Sequence, residues 1–363
     1  MGKGKLSEVT NTAQVRESNI ELLRIILMFM VILLHFNNGN MGGAFNLVER
    51  MSFSGGTLWF LESLSVCAVN CFMIISGYFL AYNKKVEISK IADLLLIVIF
   101  YRFLNYVVSD MILQQSFSIK SVIKTFIPAN YFAIFYIVTY VFSPFLSVLF
   151  DNLQPIYQKR FVFLCIFIFV LVPTFVDMME NIDVDLYSIS PVLINGSGAG
   201  YTIVQFFVAM IIGIFLRRCG WCPKISLLLG VYVGLSLIVT ILIGTFPSLY
   251  NYCNIFTVIT AVCVFLIFKQ IKCTNKLINY ISKSVFSIFC IHTSGIANKM
   301  WRLYCITPKH INEDLSNLVI WTIISVGGMF CCCLVIDIVF RNTLGVLKDK
   351  LLRKLPSLLC IKE

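Results

Sequence analysis

The sequence predicts an all-α polytopic membrane protein, a bundle of about ten transmembrane helices with both termini in the cytoplasm. Three observations predict it. Of 363 residues, 59% are hydrophobic and only 13% are charged, a balance outside that of soluble domains. Apolar runs of about 20 residues, enough to cross roughly 30 Å of hydrocarbon, recur along the chain. The basic residues alternate between the loops in a way that assigns a side to each.

The first run, near 20–37, carries IILMFMVILL, and the second, near 57–80, ends in CFMIISGYFL. The third, near 91–109, contains LLLIVIF, and the fourth, near 130–150, is rich in aromatic residues. The stretch near 161–176 reads FVFLCIFIFVLVPTFV, and the next, near 200–216, contains FFVAMIIGIFL. The remaining four fall near 225–246, 250–268, 281–298 and 316–340. With the N-terminus inside, 21 of the 29 Lys and Arg fall on the cytoplasmic side and six outside. The outer loop from Asp177 to Ala199 carries four acidic residues and no basic one. An even number of helices follows.

The chain divides into a cytoplasmic arm over 1–19, a transmembrane domain over 20–340 and a basic cytoplasmic tail over 341–363. The first run is longer than a signal-peptide core and lacks a small-residue cleavage pattern, so it is expected to remain as a helix. Most of the 14 cysteines lie inside apolar runs and read as small hydrophobes rather than disulfides. Cys219 and Cys222 form a CxxC without a second Cys or His pair, so no metal is expected. The bases sit in short loops rather than on one face of a soluble module, which argues against nucleic acid as a partner. The lipid bilayer is the partner that composition implies.

An ionisable side chain in mid-membrane costs about 2.5 to 3.5 kcal/mol on insertion scales, so each one is a functional hypothesis. Arg24 and His35 are separated by ten apolar residues on the first helix. Eleven steps of about 100° bring them to the same face, roughly 16 Å apart along the axis. Imidazole suits proton removal from a hydroxyl near neutral pH, which makes His35 the candidate base. Glu21, one turn before Arg24, either pairs with it or sits among headgroups. Glu62 is at a depth comparable with His35 and either orients its ring, binds an acceptor hydroxyl or lies at the interface. Arg102 and His292 are candidates for lining the site. Asp337, near the inner end of the last helix, is not.

These residues stand in a recognisable order. NIELLRIILMFMVILLHF resembles the first helix of the acyltransferase-3 family of integral membrane O-acyltransferases, with its arginine, ten residues, then histidine. VNCFMIISGYFL, YFAIFYIVTYVFSPFL, GYTIVQFFVAMIIGIFLRR and LINYISKSVFSIFCIHT are similar to later family segments, in order and over nearly the whole chain. The resemblance implies a bacterial cytoplasmic (inner) membrane enzyme. It would use acetyl-CoA, or another acyl-CoA, as acyl donor for a hydroxyl of cell-surface or lipid-linked carbohydrate. It carries Arg24 and His35 onto the family's functional pair, and Ser76 and Gly77 onto the end of its second helix. Many members have an Arg-x-x-Arg-like pair before the third helix, where this chain offers Lys84, Lys85 and Lys90 as donor-binding cations. Many have a Trp beside the position of Tyr131, where this chain has Phe132. Some relatives add an extracytoplasmic domain; a stand-alone enzyme is expected here.

The expected mechanism keeps the coenzyme phosphates among the cytoplasmic bases, with Arg24 at the entry, while the thioester reaches inward. His35 acts as general base or carries the acyl group itself, and Tyr136, Asn70 or Ser76 donates to the oxyanion. The rival from another class is a proton-coupled carrier of a polar lipid-linked sugar or organic anion, with His35 and Glu62 as its relay.

Overall fold

Backbone in hydrocarbon must satisfy its own N–H and C=O groups, and in this chain the apolar runs do so as helices. A computed structural model describes residues 17–113, 118–190, 202–352 and 355–361. Its helices are α1 (Ser18–Asn37), α2 (Phe53–Ser65), α3 (Ala68–Leu80), α4 (Ile88–Leu113), α5 (Ile119–Thr125) and α6 (Tyr131–Asn152). They continue with α7 (Pro155–Ile166), α8 (Val172–Glu180), α9 (Ile203–Cys219), α10 (Ile225–Leu242) and α11 (Ile255–Gln270). After these come α12 (Lys276–Ile281), α13 (Val285–His292), α14 (Gly295–Tyr304), α15 (Leu315–Asn342) and α16 (Leu344–Leu352). The protein is an all-α polytopic membrane protein. Eight segments among the described residues are long and apolar enough to span: α1, α2–α3, α4, α6, α7–α8, α10, residues 247–270 and α15. The N-terminal arm up to residue 16 and residues 191–201 of the acidic outer loop lie outside the described residues.

Two of the ten predicted runs differ from a simple span. The run near 200–216 is α9, 17 residues long and mostly buried. The run near 281–298 is no single helix: α12 passes through a 3-10 turn at Ser282–Ser284 into α13, which stops at His292. Ser294 then caps α14, its side chain accepting from the Ala297 N–H, so the chain turns within the predicted run.

Other helix irregularities have identifiable partners. Between α2 and α3, the Tyr232 hydroxyl donates to the Leu64 carbonyl at 2.7 Å, and Ser63 and Ser65 bond back to Trp59 and Leu61. Side chains that enter the ladder in this way bend a helix. Pro144 cannot donate to the Tyr140 carbonyl, and the Ser143 hydroxyl does so instead at 2.8 Å, so α6 continues through the proline. A π-helical stretch at Phe167–Leu171 precedes Pro173 and joins α7 to α8.

The centre of the bundle is α1, α2–α3, α9 and α11, while α4, α10 and α15 present rows of exposed Leu, Ile, Val and Phe outward. The closest approach is α3 against α9. A Cβ on Gly77 would stand 2.1 Å from the Met210 carbonyl oxygen, and one on Gly213 would stand 2.2 Å from that of Ile74. Gly77, expected from sequence among the site-lining residues, therefore serves helix packing: small residues let the two backbones touch. Gly77→Ala should destabilise the solubilised protein by about 1 to 3 kcal/mol, because backbone cannot yield as a side chain does. Gly230→Ala, with nothing within 4 Å, is the neutral control. The melting temperature in detergent checks this, and an unshifted value for Gly77→Ala would show that the helices are further apart.

At the end where α4 begins, Lys85–Glu87 (β1) pairs antiparallel with Ser357–Cys360 (β2), and the Ile361 N–H donates to the Lys84 carbonyl. Lys348 of α16 is ion-paired with Asp93 of α4. The tail is thus folded back onto the start of α4.

Candidate active site

One face of α1 borders a cavity of about 440 Å³, which takes in both Arg24 and His35. At the Arg24 end its walls are charged: Lys90 and Asp93 from α4, and Lys283 from the turn before α13. Toward His35 the walls become aromatic, with Phe72, Phe132 and Phe289, while Tyr136, stacked on Phe132, lies within electrostatic reach of Arg24 and Lys90. Phe132 packs edge-on to Phe72 and Phe206 and contacts Phe289 with ring centroids 5.8 Å apart. Phe289 in turn lies 6.5 Å from the His35 ring. Phe132 is therefore linked to the imidazole through Phe289.

Among the described residues, the polar side chain at bonding distance from the His35 ring is that of His292. Its Nδ1 is 2.7 Å from His292 Nε2, and His292 Nδ1 is 2.7 Å from the carbonyl oxygen of Ile288. A carbonyl only accepts, so His292 Nδ1 carries the proton, and the Nε2 of a neutral ring is left as acceptor. His35 Nδ1 must then donate, and the lone pair of His35 resides on Nε2. His292 is fully buried at the end of α13, whereas His35 is half-buried and opens to the cavity. The arrangement orients a basic nitrogen with a neutral relay in place of a carboxylate.

The remaining sequence candidates divide by place. Glu62 does not touch His35; its carboxylate accepts from Asn37 Nδ2 at 2.8 Å. The orienting role that its depth suggested is filled by His292, because α13 and not α2 meets the His35 side of α1. Glu21 pairs with Arg24 at 3.3 Å and fixes the guanidinium at the charged end. Asn70 is committed, its amide donating to the Tyr252 carbonyl and its oxygen accepting from Gln205. Ser76 and Tyr136 line the cavity, with the Ser76 hydroxyl donating to the Phe72 carbonyl. Lys84 pairs with Asp151, which Arg218 also binds at 2.8 Å, and Lys85 lies 4.0 Å from Glu87. Of the three predicted lysines, Lys90 alone borders the cavity. Arg102 lies outside it, in a second cavity beyond α13. Sequence reasoning missed Lys283, Asp93 and Phe289 as lining residues. Lys283 carries a signal, a cation two residues before an apolar run, but nothing in that signal says which helix it faces.

No curated protein and no solved structure matches the chain. The family model described as an acyltransferase domain matches residues 17–337, from the first turn of α1 to the inner end of α15. That match takes in the whole cavity and both histidines, and the chain belongs to the acyltransferase-3 family of membrane acyltransferases.

Proposed function

We propose that this protein is a membrane O-acetyltransferase of the bacterial cytoplasmic membrane, moving acetyl from cytoplasmic acetyl-CoA to a hydroxyl of cell-surface or lipid-linked carbohydrate. The observation that carries the reading is the Ile288–His292–His35 hydrogen-bonded chain, which leaves His35 Nε2 unprotonated inside a cavity that begins among cations. A highly charged nucleotide stays out of hydrocarbon, so its phosphates bind at the mouth with Arg24, Lys90 and Lys283. The slimmer thioester arm extends past the aromatic walls to His35.

In the transfer, His35 Nε2 takes the proton of the acceptor hydroxyl as its oxygen attacks the thioester carbonyl carbon. The carbonyl becomes an oxyanion, to which the Tyr136 hydroxyl donates. The imidazolium charge is shared with His292 through their common hydrogen bond. Collapse of the intermediate re-forms the carbonyl and breaks the C–S bond, and the proton on His35 leaves with the coenzyme thiolate. The same nitrogen would carry the acyl group in a two-step route.

Purified protein in nanodiscs, given radiolabelled acetyl-CoA and candidate glycans, should release coenzyme thiol in step with labelled glycan. A proton-coupled carrier would release none, and that result would end the enzyme reading. Arg24→Ala should weaken acetyl-CoA binding about 10- to 100-fold, the scale of one or two charge-assisted bonds. Arg24→Lys should recover only part, because it keeps the charge without the planar fork. Calorimetry on each variant measures this. Wild-type affinity in Arg24→Ala would transfer the phosphate site to Lys90 and Lys283.

A further inference from the structure

Beyond α13 from the donor cavity lies a second one of about 460 Å³, between α4, α5 and the turn joining α13 to α14. Its lining includes two cations, Arg102 and Lys124, and among the described lining residues no Asp or Glu. The Arg102 guanidinium is held flat by two backbone acceptors, the carbonyls of Ala129 at 3.2 Å and Lys124 at 3.1 Å. Carbonyl oxygens position a guanidinium without cancelling its charge. Among the described side chains, neither Arg102 nor the exposed Lys124 forms an ion pair. Ser294 and Gly295, the N-cap and first residue of ten-residue α14, also line the cavity, so the positive end of that helix points the same way. The wall also carries the hydroxyl and amide groups of Asn105, Tyr106, Ser121 and Thr293, beside the apolar Val98, Ala129 and Cys290. Such a lining suits a polar anion rather than an acyl chain or a neutral apolar ligand.

The cavity is lined by the second half of α4, away from the β1–β2 ribbon and the charged mouth of the donor cavity. It also adjoins the reacting centre. Thr293 borders it next to His292, and Asn130 borders it while the following residue, Tyr131, borders the donor cavity. The two cavities thus come within one residue of each other at Asn130 and Tyr131.

We propose that this cavity holds the anionic group, phosphate or carboxylate, of the acceptor carbohydrate. The inference rests on the acetyl-transfer reading and narrows it: the acceptor is an acidic or phosphate-bearing sugar, docked on the opposite side of α13 from the donor.

The test uses the full chain in phosphatidylcholine nanodiscs, titrated calorimetrically with glucose 1-phosphate, glucuronate and glucose. The two anionic sugars should bind saturably and glucose should not. Arg102→Gln and Lys124→Gln should each weaken binding about tenfold or more, with acetyl-CoA affinity unchanged. Lys124→Gln guards against a folding artefact, since Arg102 also ties α5 to the start of α6. Equal binding of glucose, or undiminished binding of both anions in Lys124→Gln, would overturn the proposal. So would displacement of the sugars when phosphatidylglycerol replaces phosphatidylcholine, which would make this a lipid-headgroup site. Failure of the two readings can be told apart. Acetyl transfer to neutral sugars as fast as to anionic ones sinks the acceptor site alone, whereas anion binding without any acetyl-CoA consumption sinks the transfer reading.

Discussion

Replacing His35 by alanine is expected to lower acetyl transfer at least about 100-fold while the protein still inserts and folds. General-base catalysis typically contributes 100-fold or more, and no described carboxylate or second imidazole is positioned to take over the role. His292 cannot, because it is fully buried behind the vacated position, its ring centred 4.9 Å from that of His35, too far back to reach a hydroxyl held at the His35 Nε2 position. Insertion should survive, since alanine makes the run IILMFMVILL more apolar at its end. Initial rates of thiol release, normalised to folded protein, measure the effect. Activity above about a tenth of wild type would contradict the general-base role.

His292→Phe should lower the rate on the order of 10- to 100-fold, the scale set by losing the group that orients a metal-bound imidazole. Phenylalanine fills much of the same volume but accepts no proton from His35 Nδ1. The His35 ring is then free to place its proton on Nε2, where it cannot act as base. His292→Gln is the informative companion, because its side-chain oxygen can accept from His35 Nδ1 and restore the tautomer in part. The prediction concerns kcat with acetyl-CoA affinity unchanged, as the proposed phosphate site lies three turns of α1 away. If His292→Phe and His292→Gln lose activity equally, His292 serves packing and not orientation.

Composition and run length were enough to identify a polytopic helical membrane protein, and the Arg24 to His35 spacing was enough to place both side chains on one face. These readings survive translation into three dimensions because they depend on local physics: hydrocarbon demands helices about 20 residues long, and helix geometry repeats every 3.6 residues. The exceptions within that reading are local as well. Ser294 and the 3-10 turn at Ser282–Ser284 break the penultimate run, and a cap inside an apolar stretch is weak evidence until its bond to Ala297 is seen.

What a side chain meets across the bundle was another matter. Sequence put Glu62 at the depth of His35 and His292 only among residues that could line the site, since depth along the normal is legible from sequence and azimuth around the bundle is not. The packing of α13 beside α1, with Gly77 and Gly213 drawing α3 against α9, decided that His292 reaches His35 and Glu62 reaches Asn37. The same azimuths sent Lys90 and Lys283 to the cavity of Arg24 and His35, Lys84 to Asp151, and Arg102 to the far side of α13. Helix order and side-chain type are written along the chain; which helices become neighbours depends on the close packing of all of them together, and that is a property of the folded bundle alone.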